Sequence, residues 1–406
     1  MSLTSRAPGA FHVLAKPSGA ICNLDCAYCF FLSKEELYPG SSFRMDDTVL
    51  DAYISQLLAG HRSPEITVSW QGGEPTLMGL DFFRRVVATV ERYRRPGQRI
   101  EHTIQTNGTL IDEEWAAFLA THDFLVGISI DGPREIHDAY RVDKGGKPTF
   151  DRVVRGLDRL KAHQVRWNVL TTVHRTNQDR GREVYRFLRD DLGAQFIQLI
   201  PIVERPAPGG IPVGDQVTDR SVTPNGYGRF LIEVFEEWVR RDVGRVYVQM
   251  FDTTLANWVG VPGALCVHAE TCGTALALEH NGDLYSCDHF VEPDHLLGNI
   301  TQRPLLDLVA SPQQVAFGNA KRDALPGYCR RCDVRFACHG GCPKDRFTTS
   351  PDGEPGLHYL CPSYQAFFRH VDRPMRFMAA QLRSGGYADQ VMAWYQREDR
   401  RRPGDQ

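Results

Sequence analysis

The sequence predicts an α/β protein: an open, partial barrel of six strand–helix units, followed by a smaller cysteine-rich domain. Three observations carry that prediction. Between residues 11 and 200, short β-rich runs alternate with amphipathic stretches of helical length, which implies a parallel sheet with helices outside it. There are six such units rather than the eight of a closed barrel. The 11 cysteines fall into two groups, with none in the stretch between.

The elements follow in order. Strands are expected at 11–16, 66–70, 100–106, 124–130, 165–173 and 195–200, with helices at about 46–59, 80–95, 112–121, 150–163 and 179–191. Asp46, Asp112 and Thr149 stand where N-caps belong. Residues 204–220 are rich in Pro and Gly and read as a domain junction. A helix at about 225–242 follows. Asn281-Gly282 marks a hairpin that swings Cys287 back towards Cys272. A last helix is expected at about 363–383, and the charged tail 397–406 reads as frayed. The expected division is a core domain at 1–220, a helical connection at 221–265, a cysteine-rich domain at 266–370 and a C-terminal helix and tail at 371–406.

Composition narrows the function. At 406 residues, with 42% hydrophobic and 24% charged residues, the chain can bury a large core. A net charge of −3 gives no general grip on nucleic acid. No apolar run is long enough to span a membrane, and the first ten residues hold no apolar signal segment. These features point to the cytoplasm, where disulfides are disfavoured.

Cysteine spacing carries the chemistry. Cys22, Cys26 and Cys29 sit within eight residues, with Tyr28 before the last. Thiolates select iron–sulfur clusters or zinc. Three ligands leave one coordination position without a protein group, and an open position is where metal chemistry occurs. The other eight are Cys266, Cys272, Cys287, Cys329, Cys332, Cys338, Cys342 and Cys361. CxxC with further cysteines also builds zinc ribbons, so zinc stays open for that region. Three plus eight fits one three-ligand cluster and two four-ligand clusters. Polar and glycine-rich runs follow the strands: Gln71-Gly72-Gly73-Glu74-Pro75, Asn107-Gly108 and Ser129-Ile130-Asp131-Gly132-Pro133. In such barrels, sites gather at the C-terminal ends of the strands.

The Cys22-x3-Cys26-x2-Cys29 trio resembles that of the radical S-adenosylmethionine enzymes. The downstream cysteines resemble a SPASM domain. The chain is similar in particular to the anaerobic sulfatase-maturating enzymes, through Lys16-Pro17, the Gln-Gly-Gly-Glu-Pro-Thr-Leu run at 71–77, Gln-Thr-Asn-Gly-Thr-Leu at 105–110, the strand end at 127–133, Cys287-Asp288, and Leu-Gly-Asn-Ile at 297–300. One departure is visible: the family commonly shows Phe-Tyr after the trio, and this chain has Phe30-Phe31.

The resemblance implies three 4Fe–4S clusters and S-adenosyl-L-methionine. It implies that Cys22, Cys26 and Cys29 leave one iron open to that cofactor. Cys266, Cys272, Cys287 and Cys342 would hold one auxiliary cluster, and Cys329, Cys332, Cys338 and Cys361 the other. Gln71, Gly72, Gly73, Glu74, Ser129 and Arg141 would line the cofactor site, with Arg141 on its carboxylate. Asp288 would be the general base. The implied reaction converts Cys or Ser in an unfolded sulfatase peptide, within a Cys/Ser-x-Pro-x-Arg motif, to Cα-formylglycine through a 5′-deoxyadenosyl radical. A flavodoxin- or ferredoxin-like reductant is implied. The alternatives are a SPASM enzyme crosslinking a ribosomal peptide, disfavoured by the short segment before Cys22, and a non-catalytic zinc-binding protein.

Overall fold

A computed structural model describes residues 8–263 and 265–401. The expected N-terminal ten residues and the charged tail therefore lie partly outside the described residues. Six parallel strands run in sequence order: β1 (His12–Lys16), β2 (Glu65–Trp70), β3 (Arg99–Thr106), β4 (Leu125–Ser129), β5 (Arg166–Val173) and β6 (Phe196–Pro201). Between them lie α1 (Asp47–Gly60), α2 (Leu80–Tyr93), α3 (Glu113–Thr121), α4 (Phe150–Ala162) and α5 (Gly181–Arg186). Strand cores are apolar because both faces are covered. Trp70 at the end of β2 is fully buried, with Tyr53 of α1 and Phe82 and Phe83 of α2 edge-on to it at 5.6–5.9 Å.

The helix starts are set by side chains. Asp46 accepts a hydrogen bond from Val49 N, and Asp112 one from Trp115 N. Thr149 does not cap α4. Its backbone is already near-helical, and its hydroxyl donates to Arg141 O. Asp138, eleven residues earlier, caps α4 instead, its Oδ1 accepting from Thr149 N and Phe150 N at 2.9 Å each.

The sheet does not stop at six strands. After α6 (Gly226–Arg241), β7 (Tyr247–Val248) adds to β6, and α7 (Gln249–Val259) follows. At the other edge, β8 (Ala275–Glu279) pairs in parallel with β1, from His12↔Ala275 to Lys16↔Glu279. β9 (Asp283–Tyr285) and β10 (Leu296–Asn299) extend that edge antiparallel. The result is one ten-stranded sheet in the order β10-β9-β8-β1-β2-β3-β4-β5-β6-β7. The cysteine-rich region is thus built onto the barrel sheet through β1.

α8 (Leu305–Val309) and α9 (Pro312–Asp323) follow β10, and the last third closes with α10 (Cys361–Arg383), longer by two residues than expected. Its start is docked on α6, where Gly228 N donates to Ser363 Oγ at 2.8 Å. A further helix, α11 (Gln390–Arg401), precedes and enters the stretch read as a frayed tail, of which 402–406 lie outside the described residues. Trp394 stacks on Phe377 at 5.3 Å, and Arg240 lies over Tyr395 at 4.4 Å. These two contacts dock α11 on α10 and α6.

Replacing Asp138 by Ala removes two hydrogen bonds at the start of α4. It should lower stability by about 1 kcal/mol, whereas Asp138→Asn, which keeps the acceptor, should cost a few tenths. Anaerobic thermal unfolding of both variants measures the difference.

Candidate cluster and cofactor site

The site lies at the C-terminal ends of β1–β5. The loop carrying Cys22, Cys26 and Cys29 follows β1 and is held against the β2 loop by backbone bonds. Gly73 N donates to Gly19 O at 2.8 Å, and Glu74 N to Ile21 O at 2.9 Å. A Cβ on Gly73 would lie 2.0 Å from Ile21 O, so only glycine fits this approach. Gly72 has φ +125° and sits against Gly19 O and the Lys16 side chain. The Glu74 side chain is turned inward and 1% exposed. Its carboxylate accepts from Thr76 N, Thr76 Oγ1, Thr106 Oγ1 and Asn107 N at 2.6–3.0 Å. Burial pushes its pKa up against these four bonds. In the structure it therefore ties β2 to the end of β3.

Asn107 continues the tie. Its Nδ2 reaches Asn23 Oδ1 at 2.8 Å and Cys22 Sγ at 3.6 Å. Leu24 N also donates to Cys22 Sγ, at 3.3 Å. Ser129, at the end of β4, accepts from Gln105 Nε2 at 3.0 Å. Gln71 follows β2, its backbone N donating to Ala15 O.

Arg141 is buried beside the trio, its guanidinium 5.5 Å from the Tyr28 ring centroid. Its Nε donates to Asp131 Oδ2 at 2.9 Å and its Nη2 to Thr172 Oγ1 at 3.2 Å. Burial pushes the Cys26 thiol up to about 11, and the nearby Arg141 charge opposes it. Asp131 is fully buried and gathers Arg141, the Tyr28 hydroxyl and Thr172 N. Burial alone would raise its pKa, but Arg141 and the neighbouring imidazoles of His174 and His137 hold it at about 2. His174 stays neutral, lowered by burial to about 4. The sequence displayed Asp131 only as a turn residue after β4; its neighbours come from three separate elements.

Asp288 follows Cys287 in a helical turn beyond β9. Its Oδ1 lies 2.8 Å from Lys16 Nζ, which is also 3.3 Å from Glu279 Oε1 and 4.5 Å above the Phe31 ring. Lys16 is 1% exposed. Burial would lower its pKa, but Asp288 and Glu279 raise it, so the ammonium is retained. Phe31, the departure noted above, is buried, packs on Phe30 at 4.1 Å and offers its face to Lys16. Lys16 was legible in sequence only as part of a Lys-Pro motif.

The downstream cysteines form two neighbourhoods. Burial pushes the Cys287 thiol up, and Cys342 and Cys266 add to the effect. Cys272 is raised by burial, with Cys266 its neighbour. In the other neighbourhood Cys361 is pushed up to about 12 by burial, then by Cys338, Cys329 and Cys332. Cys329, Cys332, Cys338 and Cys361 line one small cavity of about 20 Å³. The trio behaves likewise: burial, Glu74, Cys29 and Cys26 raise Cys22 to about 12. All 11 cysteines are free thiols. Buried, crowded thiols favour the neutral form; bound iron supplies the positive charge that makes them thiolates. Among the described residues no three Cys, His, Asp or Glu side chains close on a single-ion centre. Buried cations brace the region: Lys321 Nζ bonds the carbonyls of Cys266, Val267 and Ala269, and Arg346 those of Lys321, His339, Gly340 and Gly341. Neither was visible from sequence. A separate cavity of about 570 Å³ lies among charged side chains including Arg180, Arg186 and Glu233, and no expected site residue lines it.

Gly73→Ala forces the two loops apart. It should remove about four of about twelve irons while the auxiliary clusters remain. Iron analysis with low-temperature paramagnetic resonance checks both parts.

Comparison with known proteins agrees with this geometry. The model of the radical SAM superfamily matches residues 17–188, and that of an iron–sulfur cluster-binding domain, SPASM, matches 266–333. The chain is 42% identical over 394 residues to a serine-type anaerobic sulfatase-maturating enzyme of Bacteroides thetaiotaomicron, covering 94% of this chain and 95% of that one. It is 31% identical to the cysteine-type enzyme of Clostridium perfringens, covering 88% and 95%. Among solved structures it matches native anSMEcpe with bound AdoMet at a TM-score of 0.82 and 30% identity, covering 91% and 99%. Streptococcus suis SuiB, 14% identical when bound to its precursor peptide, shares the fold at a TM-score of 0.61. This chain belongs to the anaerobic sulfatase-maturating enzymes of the radical S-adenosylmethionine superfamily.

Proposed function

We propose that the protein oxidises a Cys or Ser of an unfolded sulfatase peptide, in a Cys/Ser-x-Pro-x-Arg motif, to Cα-formylglycine. The observation that carries this is the placement of Asp288. It is a carboxylate next to cysteine Cys287, brought by the β8–β1 pairing to the end of the strand from which the Cys22 loop departs. Its relatives support the substrate class, since one related structure holds both AdoMet and a peptide. Serine-type relatives at 42% and 34% identity, against 30–31% for cysteine-type ones, favour Ser as the target.

In this reading Cys22, Cys26 and Cys29 hold the cluster that binds S-adenosylmethionine. Cys266, Cys272, Cys287 and Cys342 hold one auxiliary cluster, and Cys329, Cys332, Cys338 and Cys361 the other. When bound, these groups supply a hydrogen-abstracting radical and accept the remaining electron. Gly72 and Gly73 offer backbone, Gln71 and Ser129 offer polar side chains, and Arg141 offers a guanidinium suited to the cofactor carboxylate. Asp288 Oδ1 is occupied by Lys16, so Oδ2 accepts the hydroxyl or thiol proton. A flavodoxin- or ferredoxin-like reductant would serve in the cytoplasm. No helix of the described residues is long and apolar enough to cross a membrane.

Anaerobic incubation with S-adenosylmethionine, reductant and paired Ser and Cys peptides tests the reading. The Ser peptide should lose two hydrogens. Formation of 5′-deoxyadenosine with neither peptide altered would rule the assignment out. In Asp288→Asn, cofactor cleavage should persist while peptide oxidation falls by roughly 100-fold or more; parallel loss of both would remove Asp288 as the base.

A further inference from the structure

Lys16 is a buried cation whose place calls for an explanation. It ends β1, six residues before Cys22, and its register partner on β8 is Glu279. One carboxylate would suffice to clamp the two strands. Lys16 instead has two, and Asp288, the one outside the strand register, is the closer at 2.8 Å against 3.3 Å. Buried ion pairs add little net stability, because desolvation offsets the attraction. They do fix orientation. Glu279 is 3% exposed, whereas Asp288 is 13% exposed and keeps access to the surroundings. The buried oxygen of Asp288, Oδ1, is the one that meets the ammonium in an ion pair. Below the ammonium lies the Phe31 ring, an apolar face that takes no hydrogen bond. The ammonium is thereby left to its ion pairs with the two carboxylates. The neighbouring cation, Lys34, is committed to Gly210 O. His289 lies tilted against Phe30 at 5.2 Å, and burial keeps it neutral beside this ion pair.

We propose that Lys16 is a positioning residue for the reaction: it holds Asp288 by Oδ1 and so aims Oδ2 at the substrate hydroxyl or thiol. This deepens the formylglycine reading and rests on it. The proton passes from the substrate O–H or S–H to Asp288 Oδ2. No bond in Lys16 forms or breaks, and Lys16 stays protonated throughout.

The test compares Lys16→Met and Lys16→Arg, each in the wild-type and Asp288→Asn backgrounds. Iron content, 5′-deoxyadenosine formed per oxidised Ser peptide, and anaerobic thermal unfolding are measured. Lys16→Met should keep its iron and raise the deoxyadenosine-to-product ratio by about tenfold or more, because a misaimed base lags behind hydrogen abstraction. Lys16→Arg, which keeps the charge, should return most of the loss. In the Asp288→Asn background, Lys16→Met should leave the ratio unchanged, and the two substitutions should be non-additive in thermal unfolding. An unchanged ratio in Lys16→Met would overturn the inference. So would a further rise of the ratio in the double variant, or loss of iron in both Lys16 variants, since each assigns Lys16 to scaffolding alone. Failure of the wild type on both peptides is read before any variant and overturns the formylglycine assignment instead.

Discussion

A backbone seam between two loops underlies everything at this site. Gly73 and Glu74 donate to Gly19 and Ile21 with no space for a side chain between the chains. The loop that carries Cys22, Cys26 and Cys29 has little regular structure of its own. Its shape is borrowed from the end of β2, and through the Glu74 carboxylate from the end of β3. Arg141 and Asp131 grip the same loop from the far side through Tyr28. Three soft ligands are thus fixed by hard constraints, which is what a preorganised site requires.

The second organising feature is the continuity of the sheet. A cysteine-rich domain joined to a barrel by a linker would be free to shift against it. Here β8 is hydrogen-bonded along the whole of β1, so Cys287 and Asp288 are placed relative to the trio by strand register. The ion pair of Lys16 with Asp288 then reports that register at the level of single atoms.

The alternation of strands and helices was legible because each element is apolar on the face it buries. Each of the six strands began and ended within about one residue of its expected place, and boundaries are ordinarily the weakest part of such readings. The cysteine spacing was legible because soft-metal ligands have few other uses in a reducing compartment. What escaped depended on distant partners. Thr149 looked like a cap because the sequence cannot show that Asp138 folds back to its amide. The helix at 390–401 was not foreseen because the partners of Trp394 and Tyr395 are Phe377, Arg373 and Arg240, distant in sequence. Asp131 and Lys16 were seen as motif letters; their roles come from neighbours more than a hundred residues away, such as Tyr28 for the first and Glu279 and Asp288 for the second. Glu74, read as part of a cofactor motif, has a carboxylate that is wholly engaged with the protein.

The pairing of His12 with Ala275 also bears on how the molecule is made. β1 is made well before β8, and one of its two edges stays unsatisfied until β8 follows. Contacts of such long sequence separation close late and slowly, after the loop entropy between them has been overcome. During synthesis β1 exposes an open edge, and open edges invite mispairing. The Lys16 ammonium likewise lacks both carboxylates until the chain is nearly complete. The cysteine loop can take its shape from β2 and β3 early, whereas the β1 edge and the Lys16 ion pairs close only once β8 and the turn after β9 are made.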